Sequence, residues 1–497
     1  MREAIHFSTE VLERICRLCL GGFDDFSVLV IGDIMLDKYV SGKVKRISPE
    51  APVPVFLVGE QYSVLGGAGN VVSNLLRLGV RTSFIGRVGD DAEGIVIENM
   101  LLEAGAAVPC LLKSGVSSVK ARLLGNGHQQ MMRLDREEIS VPVVDECRLI
   151  MEKLACALAD GVGAVVVSDY GKGLFKETLA QDIIALCNEH RVPVLVDPKG
   201  TDWERYRGAF AVTPNISELS AIADAAIINE DSFIVSAGIE VRHKYSLENL
   251  LVTRSEKGAT LLSDGITLHV PSFAVEVFDV SGAGDTVIAV VAAAVASGLA
   301  MSDAVRLANL AGQIVVGKVG TSPIESGELL AFLRRSESSG RLCSAETAAE
   351  RIRFWQSKDE KVVFTNGCFD IFHAGHADSL ARARSLGAHL VVGLNSDKSV
   401  KRLKGESRPV NGELARARVL SAMSDVDIVV IFDEDTPREL LSLLRPDIIA
   451  KGGDYRPEDV AGGEYAGEVV ILPLVEGFST TGIIERMKTL SPANETT

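Results

Sequence analysis

Residues 279–286 read DVSGAGDT and run directly into the apolar stretch VIAVVAAAVASGLA, Val287–Ala300. Gly282 and Gly284 let the backbone come close to a ligand. The apolar stretch is too short to cross a bilayer and predicts a buried helix. The start of that helix offers unpaired N–H groups and the positive end of the helix dipole, a seat for a phosphoryl group. Asp285 falls in its first turn. A carboxylate there either serves capping and the dipole or accepts a proton from an attacking hydroxyl beside the anion seat. The whole octapeptide, together with the helix behind it, favours the second reading.

Upstream, strand-like runs alternate with helical patterns: FSVLVIGDIMLDKYV, VRTSFIGRVG, GAVVVSDY, VPVLVDPKG, FAVTPN and NLLVTRSEKGATLL. Such alternation predicts a mainly parallel sheet with helices on both faces. Residues 39–58 differ. Short runs with prolines (ISPEAPVPVFLV) suit edge strands or a flap. Downstream, RRSESSGRL (334–342) reads as a linker, and AETAAERIRFWQ as a short helix. A second β/α block follows, with strand candidates KVVFTNG, HLVVGLNSD, VDIVVIFD, DIIAKGGD and EVVILPLV. The expected division is 1–335, a linker with a short helix over 336–358, and 359–497.

The net charge of −16 over 497 residues argues against general nucleic-acid binding, since no positive field gathers phosphate backbones. It leaves room for small phosphorylated ligands at local sites. The N-terminal MREAIHFSTEVLERICRL lacks the apolar core of a signal peptide. Eight cysteines at irregular spacing fit a reduced, cytoplasmic chain with no membrane partner. The CxxC of Cys16 and Cys19 sits in a helical pattern and reads as two semi-buried helix residues.

The second block opens on TNGCFDIFHAGH, Thr365–His376. His373 and His376 are spaced to share one side of a helix start. They could be half of a metal site, but no third ligand stands near in a zinc pattern. They could be structural. Or they could donate N–H groups to a triphosphate, where negative charge gathers as pyrophosphate leaves. The neighbouring residues favour the last.

Two resemblances carry these readings further. LGGAGNVVSNLLRLG (65–79), the Asn215/Glu218 pair in TPNISEL and the late GAGD resemble the ribokinase-like sugar kinases. The resemblance implies that Asp285 is the catalytic base, with Gly282, Ala283 and Gly284 as the anion hole. Asn215, Ser217 and Glu218 would lie by the phosphates of ATP and Mg²⁺, with Glu218 nearest the metal. Ser255, Gly258 and Asn309 would border the nucleotide, and a monovalent cation would sit near the kinase site. Asp33, Asp37, Gly66, Gly67 and Asn70 would face the sugar. The proline-rich segment would be a lid that also forms a homodimer.

Gly367, Phe369, Asp370, His373, Gly375 and His376 match the GxFDxxHxGH signature of the cytidylyltransferase-like nucleotidyltransferases. That resemblance implies catalysis by His373 and His376 and nucleotide contacts from Asn366, Gly367 and Phe369. Lys404 and Arg408 in RLKGESRP would be mobile cations for the triphosphate. Ser479, Thr480 and Thr481 in GFSTTGII would meet the β- and γ-phosphates. Ile484 stands where many relatives have an arginine.

The expected fold is thus α/β in two domains: a ribokinase-like α/β sandwich with a small β lid, then a Rossmann-like nucleotidyltransferase. The order, with RISPEAPVPV, SDYGKG, VDPKGTDWERYRGA and KGGDY, resembles the bifunctional heptose 7-phosphate kinases / heptose 1-phosphate adenylyltransferases of lipopolysaccharide-core synthesis. It implies ATP-dependent phosphorylation of a heptose 7-phosphate at C1, then adenylyl transfer to heptose 1-phosphate. Lys120, Arg122 or Arg133 would meet the distal phosphate. Asn126 and Gly127 stand where relatives carry a basic residue. The nearest rival is a kinase for another sugar fused to a CTP-using transferase.

Overall fold

The computed structural model describes residues 7–125, 129–272, 277–318, 320, 322–453 and 456–473. Two compact units divide the chain, Met1–Ala331 and Phe332–Thr497.

The first unit contains β1 (Ser27–Ile47), β2 (Pro54–Gly67), β3 (Arg81–Val88), β4 (Ala107–Lys113), β5 (Ser118–Leu124), β6 (Gln130–Arg136), β7 (Ala164–Ser168), β8 (Val194–Asp197), β9 (Ala211–Val212), β10 (Asn249–Thr253), β11 (Ala259–Ser263) and β12 (Ile266–Val270). The main sheet runs β12-β11-β10-β9-β8-β7-β1-β3-β4. From β4 to β10 it is parallel, and β11 and β12 close it as an antiparallel edge. The expected single strand NLLVTRSEKGATLL is in fact the hairpin β10–β11. Gly258, at φ +84°, takes the backbone through a turn that a side chain would strain.

One strand serves two sheets. Ser27–Asp33 of β1 pairs in parallel with β3, and its outer half pairs antiparallel with β2 and parallel with β5. With β6 beside β5, these strands make the flap expected over residues 39–58, larger than the sequence suggested. The changeover falls at Asp33–Asp37, which are buried. Beyond it the lid strands become exposed, with Leu57, Tyr62, Met132 and Leu134 each more than half accessible.

The apolar stretch after DVSGAGDT is the helix Ala283–Ala296, buried from Asp285 to Ala294. It lies against the helices Met301–Val316 and Ala68–Leu78. Cys16 and Cys19 lie on the helix Thr9–Cys19, half-buried and buried, and neither is in a disulfide.

The second unit holds β13 (Val362–Gly367), β14 (His389–Asn395), β15 (Ile428–Phe432), β16 (Ile448–Gly452) and β17 (Glu468–Leu472), all parallel in the order β15-β14-β13-β16-β17. Each strand candidate of the second block is present. The order reverses at β13, so its C-terminal end opens a crevice between diverging connections. The stretch 334–342 is not irregular, because the helix Ser326–Gly340 continues through most of it. No proline interrupts those residues. The helix Ala345–Gln356 packs Ala348, Ala349, Ile352 and Trp355 against Val362, Phe364 and Ile428. It is part of the second core rather than of a linker.

Candidate active sites

In the first unit the glycine turn meets the strand ends. Gly282, at φ +81°, caps the helix Ala283–Ala296, and Asp285 enters its first turn. A cavity of about 200 Å³ is lined by Gly282, Gly284, Asp285, Asn215, Glu218, Thr213, Thr253, Lys199, Asp197, Asp169 and Tyr170. Asn215 and Glu218 are thereby brought opposite the glycine turn. Locally they form a reciprocal capping box: Glu218 N–H donates to Asn215 Oδ1 (2.9 Å), and Asn215 N–H to Glu218 Oε2 (3.0 Å). The pair therefore starts a helix and lines the cavity at once. Ser217, Ser255, Gly258 and Asn309 are not among the lining residues. Asn309 Nδ2 donates to the Pro271 carbonyl (3.0 Å), and a Cβ on Gly258 would lie 2.0 Å from the Val270 carbonyl.

Asp285 is buried. Its Oδ2 accepts from Asn70 Nδ2 (2.8 Å) and its Oδ1 from the Tyr170 hydroxyl (2.6 Å). Burial pushes its carboxyl up to about 6, against the lowering effect of the two hydrogen bonds. Asp33 is likewise raised to about 6 by burial, while the backbone N–H groups of Lys172 (2.9 Å) and Tyr170 (3.0 Å) hold it. Asp37 pairs with Arg122 (2.9 Å), whose guanidinium lies over the Tyr39 ring. A Cβ on Gly66 would approach Asp37 Oδ2 to 2.8 Å, and one on Gly67 the Asp33 carbonyl to 2.7 Å, so these glycines admit the two aspartates. Lys120 Nζ lies 5.8 Å from the Tyr170 ring centroid. Burial lowers its pKa first, and Asp37 opposes that. Arg133 is paired with Asp135 on the exposed β6 (2.9 Å). Asn126 and Gly127 lie outside the described residues.

Sequence reasoning missed Tyr170 and Asn74. Asn74 Oδ1 accepts from Thr286 Oγ1 and from Ile324 N–H, both at 3.0 Å, which ties two helices and a loop beside Asp285. The SDYGKG motif was visible, but nothing in it assigns a partner to Tyr170.

The second site sits at the end of β13. Phe369 takes the left-handed conformation (φ 45°), which is strained for a bulky residue. His373 caps the helix Ala374–Arg384, and its carbonyl accepts from His376 N–H (2.9 Å). The two imidazoles stack with centroids 3.8 Å apart. Burial, then His373 and Lys404, lower the His376 pKa to about 4, and burial lowers that of His373. Both shifts favour the neutral rings. Lys404 ends the helix Asp397–Lys404, exposed to solvent.

Arg408 was expected as a mobile cation, but its Nε is bound to the buried Asp370. The physical reason is the demand of a buried carboxylate for partners. Asp370 also accepts from Val410 N–H (2.7 Å) and Asn411 N–H (3.0 Å). Arg408 Nη2 keeps no hydrogen-bond partner among the described residues. Asn366 Oδ1 accepts from Lys451 Nζ (2.8 Å), and a Cβ on Gly367 would meet the Phe369 ring at 3.1 Å. The buried Arg416, also missed, donates to the Cys368 (2.6 Å), Asn395 (2.8 Å) and Asn411 (2.9 Å) carbonyls and to Asp397 (2.6 Å). It gathers the loops around the histidines. Ser479, Thr480 and Thr481 lie outside the described residues.

Residues 25–326 match the pfkB family of carbohydrate kinases, and residues 364–485 the cytidylyltransferase-like family. The bifunctional protein HldE of Methylobacillus flagellatus is 45% identical over 475 residues, covering 94% of this chain and 97% of its own. The chain belongs to the HldE family. Its members of the same name in Geobacter sulfurreducens (43% identical, covering 93% of this chain and 95% of their own) and Actinobacillus succinogenes (44%, 94% and 98%) match as fully. The chain thus joins a carbohydrate kinase to a nucleotidyltransferase, as HldE proteins do, and both units use a nucleoside triphosphate. Escherichia coli phosphofructokinase-2 in complex with potassium aligns with the first unit at a TM-score of 0.53, with 19% identity over 62% of this chain and 98% of its own. That likeness establishes the ribokinase-like fold.

Proposed function

We propose that the first unit transfers the γ-phosphoryl group of ATP to the C1 hydroxyl of D-glycero-D-manno-heptose 7-phosphate. The second transfers AMP from ATP to heptose 1-phosphate, giving ADP-heptose and pyrophosphate for the lipopolysaccharide core. A separate phosphatase must remove the 7-phosphate between the two steps. The observation that carries the kinase reading is that one cavity joins Asp285 and the glycine turn to Asn215 and Glu218.

In the kinase step Asp285 takes the proton of the C1 hydroxyl as its oxygen bonds to Pγ and the bond from Pγ to the β-phosphate oxygen breaks. The N–H groups at Gly282–Gly284 hold the phosphoryl oxygens as charge shifts. Asp33, Asp37, Gly66, Gly67 and Asn70 seat the sugar. Lys120 lies over the Tyr170 ring and Arg122 is bound by Asp37, so both stand nearer the sugar aspartates than Arg133, which Asp135 holds on the exposed β6.

The oxygen donors along the cavity suit Mg²⁺. Among the described residues no three acidic, His or Cys side chains converge to hold a metal by themselves. Phosphates and water would complete the shell, as this ion prefers. Glu218 and Asn215, which line the cavity, would hold it, and the ion would neutralise phosphate charge. Potassium is the first monovalent ion to try beside the kinase cavity.

In the adenylyl step a heptose 1-phosphate oxygen bonds to Pα and pyrophosphate leaves. His373 and His376 donate from the helix start, while Lys404, Arg408 and Lys451 supply positive charge. No covalent bond to the protein forms.

We place the chain in the cytoplasm, as a homodimer through the exposed apolar residues of the lid. No helix among the described residues is long and apolar enough to cross a membrane. The test is mass spectrometry of the purified chain with Mg²⁺, ATP and heptose 7-phosphate, with and without a heptose-bisphosphate phosphatase. A bisphosphate alone, converted to ADP-heptose when the phosphatase is added, is the expected result. No bisphosphate would refute heptose 7-phosphate as the substrate of the first unit.

A further inference from the structure

A four-residue turn, Asp169–Lys172, touches both carboxylates on which the kinase chemistry depends. At one end, the N–H groups of Tyr170 (3.0 Å) and Lys172 (2.9 Å) converge on Asp33 Oδ2. Between them, Gly171 N–H donates to Asp169 Oδ1 (2.7 Å). Asp169 is buried, and its second oxygen accepts from the Tyr206 hydroxyl (2.6 Å), with Arg205 Nη1 at 3.4 Å. Tyr206 and Trp203 are fully buried, so the turn is anchored on a rigid piece of core. From this turn the Tyr170 hydroxyl reaches Asp285 Oδ1 at 2.6 Å, across 115 positions of sequence.

We propose that Tyr170 is a positioning residue for phosphoryl transfer: its hydroxyl fixes the orientation of the Asp285 carboxylate, and its backbone, clamped on Asp33, couples sugar anchoring to alignment of the base. Asp285 has two side-chain torsions and an otherwise free carboxylate plane. Asn70 holds one oxygen and Tyr170 the other, which leaves lone pairs of known direction for an incoming hydroxyl. The phenol also favours the ionised base. The other groups that bear on Asp285 are Asp37 on β1, which opposes ionisation, Lys120 on β5, which favours it, and Asp197 at the end of β8. Tyr170 itself stays protonated, since burial and the neighbouring Asp285 push its hydroxyl pKa well up. It acts as a donor only and takes no part in proton transfer.

This inference rests on the kinase reading, so wild-type turnover of heptose 7-phosphate is measured first. Failure there refutes that reading and not the role of Tyr170. The test is then Tyr170→Phe, which keeps the ring and removes the donor. The kinase kcat should fall by roughly tenfold to a hundredfold with KM for ATP unchanged. The acid limb of kcat/KM should move to higher pH by about one unit, because the ionised base has lost a hydrogen bond. Replacing Tyr170 by 3-fluorotyrosine, a stronger donor of the same shape, should preserve kcat and move the acid limb to lower pH. That second variant decides the matter if Tyr170→Phe does not fold, as judged by its melting temperature. An acid limb that stays at the wild-type position in every folded variant would overturn the proposal, even if activity fell, because a space-filling tyrosine would behave so.

Discussion

The imidazoles of His373 and His376 stack face to face, with centroids 3.8 Å apart and planes inclined by 14°. Two rings this close cannot both carry a proton cheaply, and burial adds to the cost. With His376 held near pKa 4 and an ordinary value of 6.5, the unfolded chain binds the extra proton between those two pH values. This group's contribution to stability is therefore lost as pH falls through that window. His376→Asn should be less sensitive to acid than the wild type in thermal melts across pH 4–7. It should also lower adenylyl transfer by about a hundredfold or more while kinase turnover persists. Equal loss of both activities in folded protein would contradict the two-site assignment.

Asp285 works in the opposite direction. Its folded value of about 6 lies above the unfolded 3.8, so the native state binds the extra proton. Its contribution to stability is present at low pH and lost as pH rises through about 6. In the proposed mechanism the base acts in its ionised form, so kinase kcat/KM should decline as pH falls through about 6. Asp285→Asn should abolish phosphorylation, leave adenylyl transfer intact, and gain in melting temperature relative to wild type as pH rises from 4 to 7.

Asp370 organises the loop that carries Arg408. Burial alone would raise its pKa, but the N–H groups of Asn411 and Val410 and the Arg408 guanidinium outweigh it and hold the carboxyl below the ordinary carboxylate value. Asp370→Ala leaves those donors unpaired and should cost about 3 kcal/mol in the second unit. KM for ATP in adenylyl transfer should rise, with kinase kinetics as the internal control. An unchanged KM would mean that the loop does not meet the nucleotide.

Gly66 tests the proposed sugar seat. An added methyl would come within 3.0 Å of both Asp37 Cγ and Met35 Cγ and must displace the carboxylate. Gly66→Ala should raise the sugar KM by roughly tenfold or more, with little effect on KM for ATP. Steady-state kinetics in each substrate separate the two.

Much of the architecture was legible in sequence because it depends on local physics. A glycine turn before an apolar run identifies a helix start, and apolar runs between helical patterns identify β13–β17. What stayed hidden depends on residues far apart in the chain. Nothing near Tyr170 indicates that its hydroxyl meets Asp285, and nothing near Asn74 indicates Thr286, 212 positions away. Arg408 looked like a free cation because its partner Asp370 lies 38 residues earlier. The changeover of β1 between two sheets was invisible for the same reason, since periodicity reports which residues are apolar and not which strand they join. The sequence alone determined the two chemistries and their order, through motifs whose residues act within one turn. Only the tertiary structure decided which side chains hold the reacting groups in place, because a buried hydrogen bond is chosen by whatever packing brings within 3 Å, at any separation along the chain.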